Sequence, residues 1–212
     1  YNMVKLTEYE QAMLDGEFGR YKQIAMQHVV DFADAMGAEE LVKISKVHMC
    51  VGCPPLGYGI SDDFDEHFRR TFLCTEEKIS FEGYDPEVYV QSDGGAVDQY
   101  DPSAMYLSDK LFRQNREREL MYGEKGASIV GSCTPYLSGW LPMRGETFMT
   151  TESSNVLFSN SVFGAMGNAN GVAACAWAAI TGRGPKCGMH ISENRLAKVE
   201  VRVKCQCETP RD

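Results

Sequence analysis

The feature that most constrains this chain is a change of hydrophobic period at Gly37. Over residues 20–36 the apolar side chains Ile24, Ala25, Val29, Phe32, Ala33 and Met36 recur at helical spacing, and Gly37 stops the pattern. Immediately afterwards Leu41-Val42-Lys43-Ile44-Ser45-Lys46-Val47 alternates, which predicts a half-buried strand within residues 40–51. The same switch recurs downstream. Polar stretches over 62–70 and 108–122 read as helices, the second capped by Gly123, and Glu87–Gln91 and Ala127–Val130 read as short strands. Ala173–Ile180 is helix-compatible, Gly182–Gly188 reads as a loop, and Lys198–Val203 alternates like a strand. At the start, Thr7-Glu8-Tyr9-Glu10 has capping-box spacing and opens a short helix that ends near Gly16. Helices alternating with short strands define the α/β class.

Charge and composition narrow the function classes. Thirty acidic residues against 21 basic ones give a formal net charge of −9, which repels phosphate backbones, so generic nucleic-acid binding is disfavoured. No apolar run approaches the length of a membrane span, and the first residues do not resemble a signal peptide. Eight cysteines in 212 residues are few for a disulfide scaffold, and reduced thiols imply a cytoplasmic setting.

Four segments carry residues suited to chemistry. In Gly131-Ser132-Cys133-Thr134-Pro135-Tyr136 the cysteine follows a strand and precedes a proline-stiffened loop. A thiolate at the carboxyl end of a strand can bind iron or act as a nucleophile; a lone cysteine can equally be a small buried hydrophobe. Residues 152–164 read as a helix in which Ser153 and Asn160 share one face and Ser154, Leu157 and Ser161 an adjoining one. Asn160 and Ser161 lie too far inside it to be caps, so as buried polar groups they need partners, and a polar substrate would supply them. Cys50-Val51-Gly52-Cys53 follows His48; with Cys205 and Cys207 it could form an irregular zinc site, while His48 by itself reads as a hydrogen-bonded core histidine. Ser92-Asp93-Gly94-Gly95 is a tight turn whose backbone N–H groups could hold an anion, or simply a surface turn.

Taken together and in order, these segments resemble the catalytic large subunit or domain of the aconitase X family. The resemblance runs through Lys5–Glu10, Met13–Gly19, Cys133–Leu137, Pro142, Gly145-Glu146 and Glu152–Ala165. It continues through Ala178–Arg183, Pro185, Gly188, His190 and Glu193-Asn194-Arg195. It implies a three-layer aconitase-like α/β domain of which residues 1–212 are the N-terminal part, incomplete in this chain. It implies an iron–sulfur-dependent hydro-lyase acting on a small hydroxy acid, as phosphomevalonate and cis-3-hydroxy-L-proline are for known members. By resemblance Cys133 is a cluster ligand, Glu152 and Ser153 are catalytic, and Asn160 and Ser161 lie on the polar helix beside the substrate. Val51 and Gly52 on one loop, and Ser92, Asp93 and Gly95 on another, bind substrate. Asp93-Gly94 stands where many members have Asn-Pro, and a carboxylate there would repel a phosphorylated substrate. The remaining cluster cysteines of the family lie beyond this sequence, which implies a partner: the C-terminal half of the catalytic domain, a small swivelling-domain subunit, or both. The alternatives are a non-catalytic assembly subunit derived from such a half-domain, and a zinc module using Cys50, Cys53, Cys205 and Cys207.

Overall fold

A computed structural model describes residues 4–50, 63–92, 101, 108–204, 206 and 209. Among them are six α-helices: α1 (Glu8–Leu14), α2 (Arg20–Ala35), α3 (Phe64–Thr71), α4 (Asp109–Glu124), α5 (Ser153–Phe158) and α6 (Val172–Thr181). The strands are β1 (Leu41–Lys43), β2 (Lys46–Met49), β3 (Tyr89–Ser92), β4 (Ala127–Ile129), β5 (Thr147–Thr150), β6 (Met166–Ala169) and β7 (Arg183–Pro185). None of the described helices is long and apolar enough to cross a membrane.

The capping box forms as the sequence predicts. Thr7 Oγ1 accepts from the Glu10 amide, and the Glu10 carboxylate accepts from the Thr7 amide at 2.8 Å. Glu10 also pairs with Arg183 Nε at 2.7 Å, which ties α1 to β7. The helix predicted over 20–36 is α2, and it buries Tyr21, Ala25, Met26, Val29 and Ala33. The single strand expected over 40–51 is instead two. β1 pairs antiparallel with β7, and β2 joins a parallel sheet. The break falls where the hydrogen bonds change owner: the Ile44 amide donates to the Gly182 carbonyl and the Ser45 amide to the Thr147 carbonyl.

The main sheet has five strands in the order β4-β3-β2-β5-β6, all parallel. Its order reverses between β2 and β5, and in open parallel sheets of this kind the crevice at the carboxyl ends beside the reversal is where ligands bind. Strand alternation divides the sheet into two faces. One face presents Val47, Met49, Val90 and Met149 to a core that includes α6 and the aromatic rings of Phe68, Phe72, Phe81 and Tyr122, with α2 packed outside α6. The other presents His48, Gln91, Phe148 and Thr150, and is covered by Trp140, Ala165, Val156 and Phe163. Helix, sheet and a thinner helical cover make three layers.

Several expectations are corrected. Gly123 does not cap α4; the helix runs on to Glu124, and Gly126, at φ +106°, makes the turn. The expected loop over 182–188 contains β7. The helix expected over 152–164 is α5 followed by a turn of π-helix over Ser159–Phe163, closed by Gly164 in the left-handed region. Lys198–Val203 forms no strand, and among the described residues no strand pairs with it. Val199, Val201 and Val203 are 78%, 79% and 64% exposed.

Candidate functional site at the carboxyl edge of the sheet

The carboxyl ends of β2, β3, β4 and β5 all lie at the same edge of the parallel sheet. Gly131, at φ +56°, turns the chain out of β4, a conformation that side-chain-bearing residues rarely adopt. Ser132 then stabilises the loop from within: its hydroxyl accepts from the Thr134 amide at 3.1 Å and lies 2.9 Å from Thr134 Oγ1. Cys133 is thereby carried on an exposed bend. The buried-hydrophobe reading of this cysteine is excluded. Ser154, in the first turn of α5, donates its hydroxyl to the Cys133 carbonyl at 3.2 Å, so the cysteine loop and the start of α5 meet. Glu152, half-buried, stands at the N-cap position of α5 without a side-chain capping bond, and Ser153 is exposed beside it. Three sequence-selected residues, Cys133, Glu152 and Ser153, are thus brought to one place by the loop after β4 and the start of α5.

Beneath them lies a buried network. His48 is fully buried on β2; its Nε2 lies 3.2 Å from the Ser132 carbonyl and its Nδ1 3.5 Å from Thr150 Oγ1. Thr150 Oγ1 accepts from the Asn155 side-chain amide at 3.1 Å and from the Glu152 backbone amide at 3.2 Å. Asn155 Oδ1 in turn accepts from Ser159 Oγ at 3.0 Å, at the first residue of the π turn. Thr150, Asn155 and Ser159 are all fully buried. A second tie joins β2 to β5, since the Cys50 amide donates to Thr151 Oγ1 at 3.1 Å. Sequence reading singled out none of Thr150, Asn155 and Ser159. Polar residues every four or five positions ahead of the π turn were the available signal, and π turns inside helices often mark functional sites.

The other selected residues fare differently. Ser92 is fully buried at the end of β3, and among the described residues its hydroxyl has no hydrogen-bond partner. Val51, Gly52, Asp93 and Gly95 lie outside the described residues, as do Cys53, Cys205 and Cys207 of the zinc reading. Asn160 has no need of a substrate to satisfy it. Its amide nitrogen donates to the carbonyls of Val156 and Gly167, at 2.8 and 2.9 Å, and its oxygen accepts from the Gly167 amide and from Arg195. Gly167 lies near the amino end of β6, so Asn160 and the exposed Ser161 sit at the far end of α5 from Cys133. Among the described residues no group of three or more His, Cys, Asp and Glu side chains is arranged to hold a metal ion. The exposed thiol of Cys133 is chemically able to serve as one ligand of a metal group.

Residues 3–193 match the family described as aconitase X first domain. The chain belongs to the aconitase X family. Among its relatives, the phosphomevalonate dehydratase large subunit of Thermococcus kodakarensis is 31% identical over 96% of this chain and 48% of its own length. The corresponding protein of Methanothermobacter thermautotrophicus is 32% identical, again over 96% of this chain and 48% of its own. The cis-3-hydroxy-L-proline dehydratase of Pseudomonas aeruginosa is 28% identical over 94% of this chain and 32% of its own. The crystal structure of holo-form aconitase X from Thermococcus kodakaraensis superposes with a TM-score of 0.69 at 28% identity, covering 94% of this chain and 48% of that one. This aconitase X chain therefore spans about half the length of the large subunits it matches, and the solved relative confirms its α/β fold.

Proposed function

We propose that this chain forms the first part of an iron–sulfur hydro-lyase that dehydrates a small hydroxy acid, completed by a segment or subunit supplying the rest of its relatives' length. The observation that carries the proposal is the meeting of the Cys133 loop with the Glu152–Ser154 helix start at the carboxyl edge of a parallel sheet, in a chain whose relatives are named dehydratases. Dehydration removes a hydroxyl from one carbon and a proton from its neighbour, so it needs an acid for the leaving oxygen and a base within reach of the proton. In this reading Cys133 contributes one thiolate to the cluster, and the cluster, when bound, supplies Lewis acidity to the leaving hydroxyl. Glu152, anchored by the bond from its amide to Thr150, takes the proton, and Ser153 beside it orients the substrate by hydrogen bonding. Val51, Gly52, Ser92, Asp93 and Gly95 bind the substrate, as the family resemblance implies. Ser161 contributes only to a substrate long enough to reach the far end of α5, and Asn160 holds α5 against β6. The Asp93 carboxylate favours a hydroxy acid without a phosphate group.

The test is co-expression with the neighbouring reading frame and anaerobic purification of the assembly. The expected result is iron–sulfur absorbance that Cys133→Ser abolishes together with hydro-lyase activity. Retention of either by Cys133→Ser removes Cys133 from its role. An intact assembly with neither iron nor activity selects the non-catalytic subunit instead.

A further inference from the structure

We propose that His48 is a positioning residue, a two-sided tie that sets the distance between the Cys133 loop and the Glu152 helix start. The functional meaning of the tie rests on the roles proposed above for Cys133 and Glu152. The tie itself stands on geometry. His48 sits on the central strand β2, flanked by β3 and β5, with neither of the two loops on its own element. One ring nitrogen reaches the Ser132 carbonyl, one residue before Cys133; the other reaches the Thr150 hydroxyl, two residues before Glu152. Trp140 packs edge-on against the ring, with centroids 6.4 Å apart, and the ring is wholly shielded from solvent.

The hydrogen-bond inventory assigns each atom a direction. A carbonyl only accepts, so Nε2 of His48 carries the proton and donates to Ser132. The Thr150 hydroxyl has two acceptor positions and one proton. The Asn155 side chain and the Glu152 amide fill both acceptor positions. Its proton is then available only as a donor, and Nδ1 of His48 is the acceptor it faces. A neutral, Nε2-protonated imidazole satisfies every one of these bonds. A ring protonated on both nitrogens would set a donor against a hydroxyl whose acceptor positions are already taken. Asn155 and Ser159 extend the same chain of bonds to the π turn, so the helix start is braced from below as well as from the side.

Two conservative substitutions separate the two sides. His48→Gln keeps a nitrogen donor near the Nε2 position; His48→Asn keeps an acceptor near the Nδ1 position. Two backbone amides report on the loops: Thr134, which donates to Ser132 Oγ, and Glu152, which donates to Thr150 Oγ1. Native-state hydrogen exchange of the full chain is the measurement. His48→Gln should speed exchange at Glu152 about tenfold and leave Thr134 near its native rate; His48→Asn should do the reverse, and His48→Ala should speed both. The proposal is overturned if Gln and Asn affect the two amides alike, if neither amide moves, or if core amides such as Ala178 and Ile180 accelerate in step with them. The exchange split would survive a failure of the Cys133→Ser test, so the tie and the cluster assignment fall separately.

Discussion

The two faces of the central sheet are built for different ends. One is a continuous apolar layer in which Phe68 stacks on Phe81 with ring centroids 3.9 Å apart, and α6 contributes Ala174, Cys175, Ala176, Ala178, Ala179 and Ile180, all buried. The other buries His48, Gln91, Thr150, Asn155 and Ser159 within the same depth of protein. Burial of a large apolar side chain contributes roughly 1.5–3 kcal/mol. A buried polar atom without a partner costs roughly 1–3 kcal/mol, and among the described residues both faces hold such atoms, Gln91 Oε1 and Trp140 Nε1 on the second and Tyr84 Oη and Ser92 Oγ on the first. The first face supplies stability. The second holds polar groups in fixed directions beneath the loops where Cys133 and Glu152 meet.

The most direct way to break this division is Phe68→Ala on the apolar face. Phe68 is 1% exposed, and its loss should cost about 3–5 kcal/mol in urea unfolding. A cost under about 1 kcal/mol would mean that this face is not the main source of stability. On the polar face the strongest perturbation is Gly167→Ala on β6. A Cβ at this position would lie 2.4 Å from the Phe148 ring, so the ring must move. The expected cost is about 1–3 kcal/mol, smaller because the cover over Phe148 is thin and can yield. A cost equal to that of Phe68→Ala would show the second face to be as tightly packed as the first.

The faces also differ in how far sequence reveals them. Helix α2 and the capping box at Thr7 were legible because their signals are local, set by spacing within a few residues. β2 was legible within one alternating stretch, and β3 and β4 as short strands that the structure places within a few residues of their expected bounds. β6 was not, because Met166-Gly167-Asn168-Ala169 has no alternation; it is a strand only because β5 pairs with it and Phe148 requires a residue without a side chain at Gly167. The alternation of Lys198–Val203 shows the converse, a strand pattern left exposed where none of the described strands pairs with it. Cys133, Glu152 and Ser153 could be selected one by one, but the network beneath them could not. His48 and Thr150 are 102 positions apart, and only the parallel pairing of β2 with β5 sets them side by side. Asn160 shows the limit of periodicity from another direction. The π turn shifts the register after Ser159, and the partners it lacked on paper are backbone groups of β6 and Val156.

The smallest expected effect lies at the opposite edge of the sheet, where both faces begin. Glu146, just before β5, accepts from Ser45 Oγ at 2.7 Å and from the Met143 amide at 2.6 Å, and its carboxylate lies 3.2 Å from Lys46 Nζ. Partial burial pushes its carboxyl upward, but the bonds from Ser45, Met143 and Lys46 outweigh burial and hold it below the ordinary value of 4.5. A carboxyl held lower in the folded than in the unfolded chain contributes stability that is fully present above the unfolded value. That contribution fades as pH falls through the folded value. Glu146→Gln should therefore lower the urea midpoint slightly at neutral pH, and its difference from the native chain should shrink once pH drops below 4.5. A difference that stays constant across that range would show that Glu146 acts through shape and neutral hydrogen bonding. The amino edge would then be held as the carboxyl edge is, by uncharged groups, and the contrast within the sheet would be one of faces alone.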